Sequence, residues 1–221
     1  MSGKMMLIIN PNAGRGGYRT CIAELLEKFC AADWLPTVYC TRGVGDATRL
    51  AAENAGGYDM VVCLGGDGTL SEVSSGLMHM PAQARPPIGY IPLGTANDVA
   101  RTLSIPKSPA AAAKKLLEGK PFAYDVGLFC SRSYFVYIAA FGAFTEVSYA
   151  TPADAKHTLG HMAYMLEGIK SLGKIKSYEA IVEWDGGVTG GEFIFGAVLN
   201  CTSVGGVVRL DSSNVDLSDG L

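Results

Sequence analysis

A chain of 221 residues, 48% hydrophobic and 18% charged, is long enough for one or two domains with sizeable cores and too apolar to be disordered. Its formal net charge of -3, without a dense Lys/Arg run, excludes a typical nucleic-acid binder and argues against strong electrostatic attraction to anionic lipid. The six cysteines (Cys21, Cys30, Cys40, Cys63, Cys130 and Cys201) are scattered with no Cys-x-x-Cys pair, which reads as buried reduced thiols and makes a zinc site improbable.

Residues 5–9 form an apolar run too short for a signal-peptide core, and they fit a first strand. The loop 10–17 follows. Ile22, Leu25, Leu26 and Phe29 then fall at helical spacing. A second strand is expected at 37–40. Asp46 reads as the N-cap of an Ala-rich helix over 47–55, which Gly56-Gly57 ends. A third strand covers 60–64, and a helix runs from after Thr69 to about residue 80. A fourth strand is expected at 88–92. Further helices start at Ala96 and at Pro109, the latter ending near Gly119. From about Tyr124 strand patterns dominate, at 134–141, 179–184 and 192–200, with Asp185-Gly186-Gly187 as a hairpin turn. One helical stretch, about 159–172, interrupts them. The longest apolar stretch, 134–144, is too short to span a bilayer, so the reading is a soluble, intracellular protein. These patterns predict an α/β nucleotide domain over 1–123 with a mostly parallel sheet, then a β-rich domain over 124–221.

Three loops follow strands and should share one edge of the sheet, where such folds bind ligands. The most informative is Gly65-Gly66-Asp67-Gly68-Thr69. Glycines allow close backbone approach, and the first amides of the following helix attract anions. Three glycines around one Asp have no evident packing purpose. A carboxylate in an anion-binding loop is unfavourable unless a cation or a transferable proton is also present, and a nucleotide phosphate with a divalent metal is the economical reading. Glu72 reads equally as N3 of a capping box. The loop Asn10 to Gly17 is by itself as consistent with an ordinary turn, and its Arg15 with a solvated side chain. In Pro92-Leu93-Gly94-Thr95-Ala96-Asn97-Asp98, Asp98 either complements a helix dipole or converges with Asp67. Thr41 ends the second strand and can face the same edge. His79, His157 and His161 read as surface histidines. Asp211, Asp216 and Asp219 form an acidic turn, either solvated or holding a hard cation.

Asn10-Pro11-Asn12-Ala13-Gly14, Gly65-Gly66-Asp67-Gly68-Thr69 with Glu72, and Gly94-Thr95-Ala96-Asn97-Asp98 together resemble, in order and spacing, the diacylglycerol kinase catalytic domain family, and most of all its soluble bacterial lipid kinases. Asp125-Val126-Gly127, the 156–164 region and Asp216-Leu217-Ser218-Asp219-Gly220 extend the resemblance along essentially the whole chain. It implies a nucleotide domain like that of NAD kinases and phosphofructokinases, followed by a β-sandwich incomplete at its C-terminus. It implies ATP- and Mg²⁺-dependent phosphoryl transfer to a lipid hydroxyl, with diacylglycerol as the expected acceptor. By position, Asn10, Pro11, Asn12, Ala13, Gly14, Thr41, Gly66, Asp67, Gly68, Thr69, Leu70, Ser71, Glu72 and Thr95 would bind nucleotide. Asp67 and Asp98 would organise the catalytic metal, with Asp125 in the same network. Asp216, Asp219 and the carbonyl of Leu221 match a structural Mg²⁺ site. Arg15 stands where bacterial members often have Lys, and a forked donor is not equivalent to an ammonium. Members of the family continue past Gly220 into a segment carrying a proposed general base, so no residue here is assigned that role. The resemblance places the protein in the cytoplasm, transiently at the membrane surface with its lipid substrate; a homodimer is left open. The alternatives are an NAD kinase-like enzyme, which shares the Gly-Gly-Asp-Gly loop, and a non-catalytic nucleotide-binding regulatory module.

Overall fold

Four short apolar runs build one sheet. β1 (Gly3–Ile9), β2 (Trp34–Cys40), β3 (Met60–Gly65) and β4 (Ile88–Pro92) lie in the order β2-β1-β3-β4, and every pairing is parallel. The computed structural model describes residues 3–130, 133–143, 176–206, 208–211 and 215–219. Between the strands run α1 (Tyr18–Ala31), α2 (Asp46–Asn54), α3 (Asp67–Met78) and, after β4, α4 (Asp98–Thr102) and α5 (Pro109–Glu118).

Side chains alternate across a strand, so a sheet covered on both faces must be apolar at successive positions. Met6, Ile8, Val61, Cys63 and Tyr90 face α2, α3 and α4, where Ala51, Val73 and Val99 are buried against them. Met5, Leu7, Ile9, Val62, Leu64 and Ile91 face α1 and α5, against Leu25, Phe29 and Ala113. Each of these large side chains, fully buried, contributes about 1.5–3 kcal/mol. α2 and α3 approach closely because α3 carries Gly76 at the crossing, where a Cβ would lie 2.4 Å from the Thr48 carbonyl oxygen.

Several boundaries differ from expectation. β2 begins at Trp34, α3 at Asp67 and α4 only at Asp98. Asp46 is the first residue of α2, not its N-cap, a position taken by Gly45 in the left-handed region. The expected strand over 134–141 divides into β6 (Ser133–Phe135) and β7 (Ile138–Gly142), and that over 192–200 into the end of β9 (Gly187–Phe193) and β10 (Phe195–Leu199). The pairs are antiparallel: β5 (Gly127–Phe129) with β6, β7 with β10, β8 (Tyr178–Trp184) with β9, and β11 (Ser203–Val204) with β12 (Val208–Arg209). The helix expected over 159–172 lies outside the described residues, as do His157, His161 and Leu221. His79 is exposed, as expected of a surface histidine. All six cysteines are free, but Cys30, Cys40 and Cys130 are exposed, because they lie at a helix end, a strand end and a turn. Among the described residues, no helix is long and apolar enough to cross a membrane.

The chain divides into two compact units. One comprises Met1–Tyr137 with Asn200–Leu221, the other Ile138–Leu199. Residues 124–137 and 200–221 thus group with the α/β elements, whereas the sequence suggested a change of domain after residue 123. Within the smaller unit the two ladders carry the edge-to-face pair Phe141–Tyr178, with ring centroids 5.9 Å apart.

Candidate nucleotide and metal site

The three loops read from the sequence all leave the C-terminal end of the sheet. Backbone bonds continue the ladders one residue further: Asn10 N donates to Leu64 O (3.0 Å), Thr41 N to Ile9 O (2.9 Å) and Leu93 N to Gly65 O (2.7 Å). Thr41 is buried at that edge.

The loops then touch one another through backbone. Gly14 has φ +53°, and a Cβ there would lie 1.9 Å from the Leu93 carbonyl oxygen. A Cβ on Gly94 would lie 2.6 Å from the Cα of Gly66. A third link is polar: Asn10 Nδ2 donates to Thr69 Oγ1 at 3.0 Å, while Asn10 Oδ1 accepts Asn12 N. Two of the three glycines around Asp67 therefore do have packing roles. Gly66 meets Gly94, and a Cβ on Gly65 would strike the Thr69 side chain at 2.6 Å. Gly68 is different, since a Cβ there would meet nothing within 4 Å.

The first bond of the α3 ladder runs from Leu70 N to Gly66 O, so the amides of Asp67, Gly68 and Thr69 precede it and remain for other acceptors. The Leu70 amide is thus already engaged and its side chain lies in the core. Thr95 and Asn12 are exposed; Ala13 is buried in a 3-10 turn; Ser71 and Pro11 are half-buried.

Asp67 does not point freely outward. Its Oδ2 accepts Asp98 N (2.9 Å), and its Oδ1 accepts Val99 N (3.1 Å) and, more weakly, the Tyr90 hydroxyl (3.4 Å). It thereby caps the start of α4, whose Asn97 adopts φ 53°. Burial pushes the Asp67 carboxyl above the usual range, opposed by the two amides. Asp98 is fully buried, with its carboxylate accepting Ser203 Oγ (2.6 Å), Gly206 N (2.8 Å) and the Tyr137 hydroxyl (2.8 Å). Glu72 does not close a capping box on its own helix. Its carboxylate accepts Gly45 N (3.0 Å) and Ala47 N (3.2 Å), capping α2 from a neighbouring helix.

Asp125 N donates to Leu217 O at 2.8 Å, which brings the C-terminal acidic turn beside Asp125. In that turn Asp216 Oδ1 accepts both the amide and the hydroxyl of Ser218, each at 3.0 Å. Among the described residues there is no cluster of three or more His, Cys, Asp or Glu side chains placed to hold a metal.

Comparison with known proteins gives the family. The family described as the diacylglycerol kinase catalytic domain matches residues 4–129. The chain belongs to that family. It is 38% identical over 219 residues to the diacylglycerol kinase of Bacillus subtilis (strain 168), covering 97% of this chain and 70% of that protein. It is 36% identical over 222 residues to the diacylglycerol kinase of Staphylococcus aureus (strain MRSA252), covering 100% of this chain and 69% of the relative. A crystal structure of a diacylglycerol kinase from Bacillus anthracis str. Sterne superposes with a TM-score of 0.77 at 30% identity, over 99% of this chain and 71% of that one. Another structure from the same organism reaches a TM-score of 0.81 at 32% identity.

Tyr90, Tyr137, Ser203 and Gly206 enter this candidate site, and none of them is read from the sequence. Tyr137 and Ser203 are 39 and 105 positions from Asp98, and neither carries a local signature. The Gly205-Gly206 pair was the one available signal. Tyr90 also walls a cavity of about 1080 Å³ with apolar side chains that include Leu70, Leu77, Val99, Leu116 and Val136.

Proposed function

We propose that the chain transfers the γ-phosphate of ATP to the hydroxyl of a lipid, diacylglycerol, with Mg²⁺. The observation that carries this reading is the backbone contact of three glycine loops at one sheet edge, around a carboxylate fixed by two amides. Phosphoryl transfer is largely positioning and charge neutralisation, and preorganised amides supply both. The α3 amides ahead of Leu70, with the loops at Asn10–Gly14, Thr41 and Thr95, are the groups offered to the nucleotide. The open space over Gly68 leaves room for the phosphates.

Mg²⁺ is usually held through one or two carboxylates, with waters and substrate phosphates completing its shell. A carboxylate has about four acceptor sites; two amides fill two on Asp67, and the Tyr90 hydroxyl divides its one proton between Asp67 Oδ1 (3.4 Å) and Asn97 Oδ1 (3.3 Å), so at least one site on Oδ2 is left. That donor set fits an ion carried mainly by phosphates and water. Asp67 would hold it, with Asp98 and Asp125 in the surrounding network, and a bound ion would neutralise charge on the transferring group. A structural ion at Asp216, Asp219 and the Leu221 carbonyl is part of the same proposal, as are cytoplasmic location, transient membrane association and the division into ATP-binding and lipid-substrate domains. The cavity walled by Tyr90 supports an acyl-bearing acceptor.

The test is transfer of labelled phosphate from ATP in mixed micelles with Mg²⁺, to a lipid panel and to NAD⁺. Transfer to diacylglycerol that Asp67→Ala abolishes is expected. Activity of Asp67→Ala within a few-fold of wild type, transfer to NAD⁺ instead, or ATP binding without any transfer would each overturn the proposal.

A further inference from the structure

We propose that Ser203 and Tyr137 are positioning residues for Asp67, acting through Asp98; for its catalytic consequence this rests on the kinase reading above. Asp98 is 0% exposed and Ser203 3%. A carboxylate in the first turn of a helix needs only solvent and the helix dipole to be favourable there. This one is instead buried and given three donors, two on Oδ1 (Ser203 Oγ and Gly206 N) and one on Oδ2 (Tyr137 hydroxyl).

The direction of the phenol bond is fixed by its other partner. Gly205 N donates to the Tyr137 oxygen at 3.0 Å, so the single phenolic proton is directed to Asp98. The turn that brings these donors in has Gly205 and Gly206 at φ 62° and 72°, a conformation that side chains resist. Its far side is pinned where Arg101 Nη1 donates to Gly206 O at 2.8 Å, and Thr202 N donates to Thr102 Oγ1 at 3.1 Å. The 202–206 segment therefore grips α4 at Asp98, Arg101 and Thr102.

What α4 then presents is a pair of amides. Asp98 N and Val99 N are the two amides that hold Asp67. The side chain of Asp98 is tied to the 203–206 turn while its amide is tied to Asp67, so one residue joins the two sets of bonds. The Asp98 carboxylate and the Ser203 hydroxyl are buried, while Tyr137 and Gly206 are half-buried; breaking the bonds of a buried carboxylate leaves a desolvated charge behind, so this geometry is held tightly. α4 has only five residues, too few to be a rigid helix on its own. The aim of the Asp67 carboxylate is set by this relay rather than by α4 alone. Asp98 acts through its amide, and the donors that fix it lie some hundred residues further along the chain.

Two measurements on the full gene product test this, with Ser203→Ala, Tyr137→Phe and their double variant. The first is amide hydrogen exchange at residues 98 and 99 without nucleotide or metal, which does not depend on activity. Loss of the anchoring bonds should speed exchange at both amides by about tenfold or more, with amides in β1 and β3 unchanged. Unchanged exchange at residues 98 and 99 in both single variants overturns the relay. The second is the rate against Mg²⁺ and ATP. A carboxylate displaced by a fraction of an ångström should lower kcat by about ten- to a hundredfold and raise the Mg²⁺ needed for half-maximal rate, while KM for ATP changes little. Faster exchange with kcat and Mg²⁺ requirement unchanged would show that the bonds are structural and overturn the positioning role. If wild type transfers no phosphate to any acceptor, the kinase reading has failed and the catalytic role fails with it, while the exchange result still decides the relay.

Discussion

Glu72 offers a clean separation between holding the fold and touching the nucleotide. In Glu72→Ala, the Gly45 amide is exposed and regains water, but Ala47 is fully buried and its N–H loses its acceptor. An interchanged helix cap is worth about 1 kcal/mol, and an unsatisfied buried donor costs about 1–3 kcal/mol, so a net loss of about 2 kcal/mol follows. For a chain of this size that is a fall in Tm of about 4–8 °C. Glu72→Gln keeps one carbonyl acceptor and should lose roughly half as much. Glu53→Ala on α2, the helix that Glu72 caps, is the control: its pair with Arg49 at 2.9 Å is exposed, and its loss should cost under about 0.5 kcal/mol. Thermal and urea unfolding measure stability, and equilibrium titration measures ATP affinity. A Tm unchanged in Glu72→Ala together with clearly weakened ATP binding would refute the capping account and return Glu72 to the nucleotide site.

The glycines give a second contrast. Gly68→Ala should leave Tm unchanged yet weaken ATP binding, because its Cβ enters space that no protein atom occupies. Gly94→Ala should lower Tm by several degrees, because its Cβ would meet the Gly66 Cα at 2.6 Å; equal behaviour of the two variants in both assays would contradict this division. A third prediction concerns acid stability. The Arg42 amide, and then the Arg49 guanidinium, hold the Asp46 carboxyl below its ordinary value of 3.8. Its stabilising contribution is therefore present above that value and is lost as pH falls through the lower folded one. Asp46→Asn should be less stable than wild type at neutral pH, and the gap between their melts should close only below about pH 4. A gap that persists unchanged into stronger acid would show that the carboxylate is not its origin.

Much of the α/β half is legible because its signals are local. Fully apolar runs at 5–9, 60–64 and 88–92 can only be strands covered on both faces, and the pairings follow. Pro109 starts α5, where its fixed φ is already helical, and Gly119 follows the last turn in extended backbone, where a Cβ would lie 2.8 Å from the Lys115 carbonyl oxygen. The errors came where a tertiary partner replaced a local one. Asp46 looked like an N-cap because the residue that caps α2, Glu72, lies on another helix. The glycines of 65–68 suggest a loop and a helix start after Thr69, yet Asp67 and Gly68 are in the first turn of α3. The sequence shows no packing role for Gly65 and Gly66, whereas Cβ atoms there would meet Thr69 and Gly94. No window of sequence contains Asp98 together with Ser203, so its three donors had no local trace.

What holds Asp67 also says why it should attract a cation. Its partners are two backbone amides and a phenol, all neutral, and burial still pushes the carboxyl upward against them. An arginine in place of those amides would have satisfied the charge and closed the site. Neutral donors orient a carboxylate without cancelling its charge, and the cost of desolvating it is relieved by a proton or by a positive ion. The same edge of the sheet supplies α3 amides for anions. On the proposed kinase reading, a carboxylate held by neutral donors beside amides that favour phosphate is an arrangement that neither a metal alone nor an anion alone would satisfy, and a metal–nucleotide pair would satisfy both.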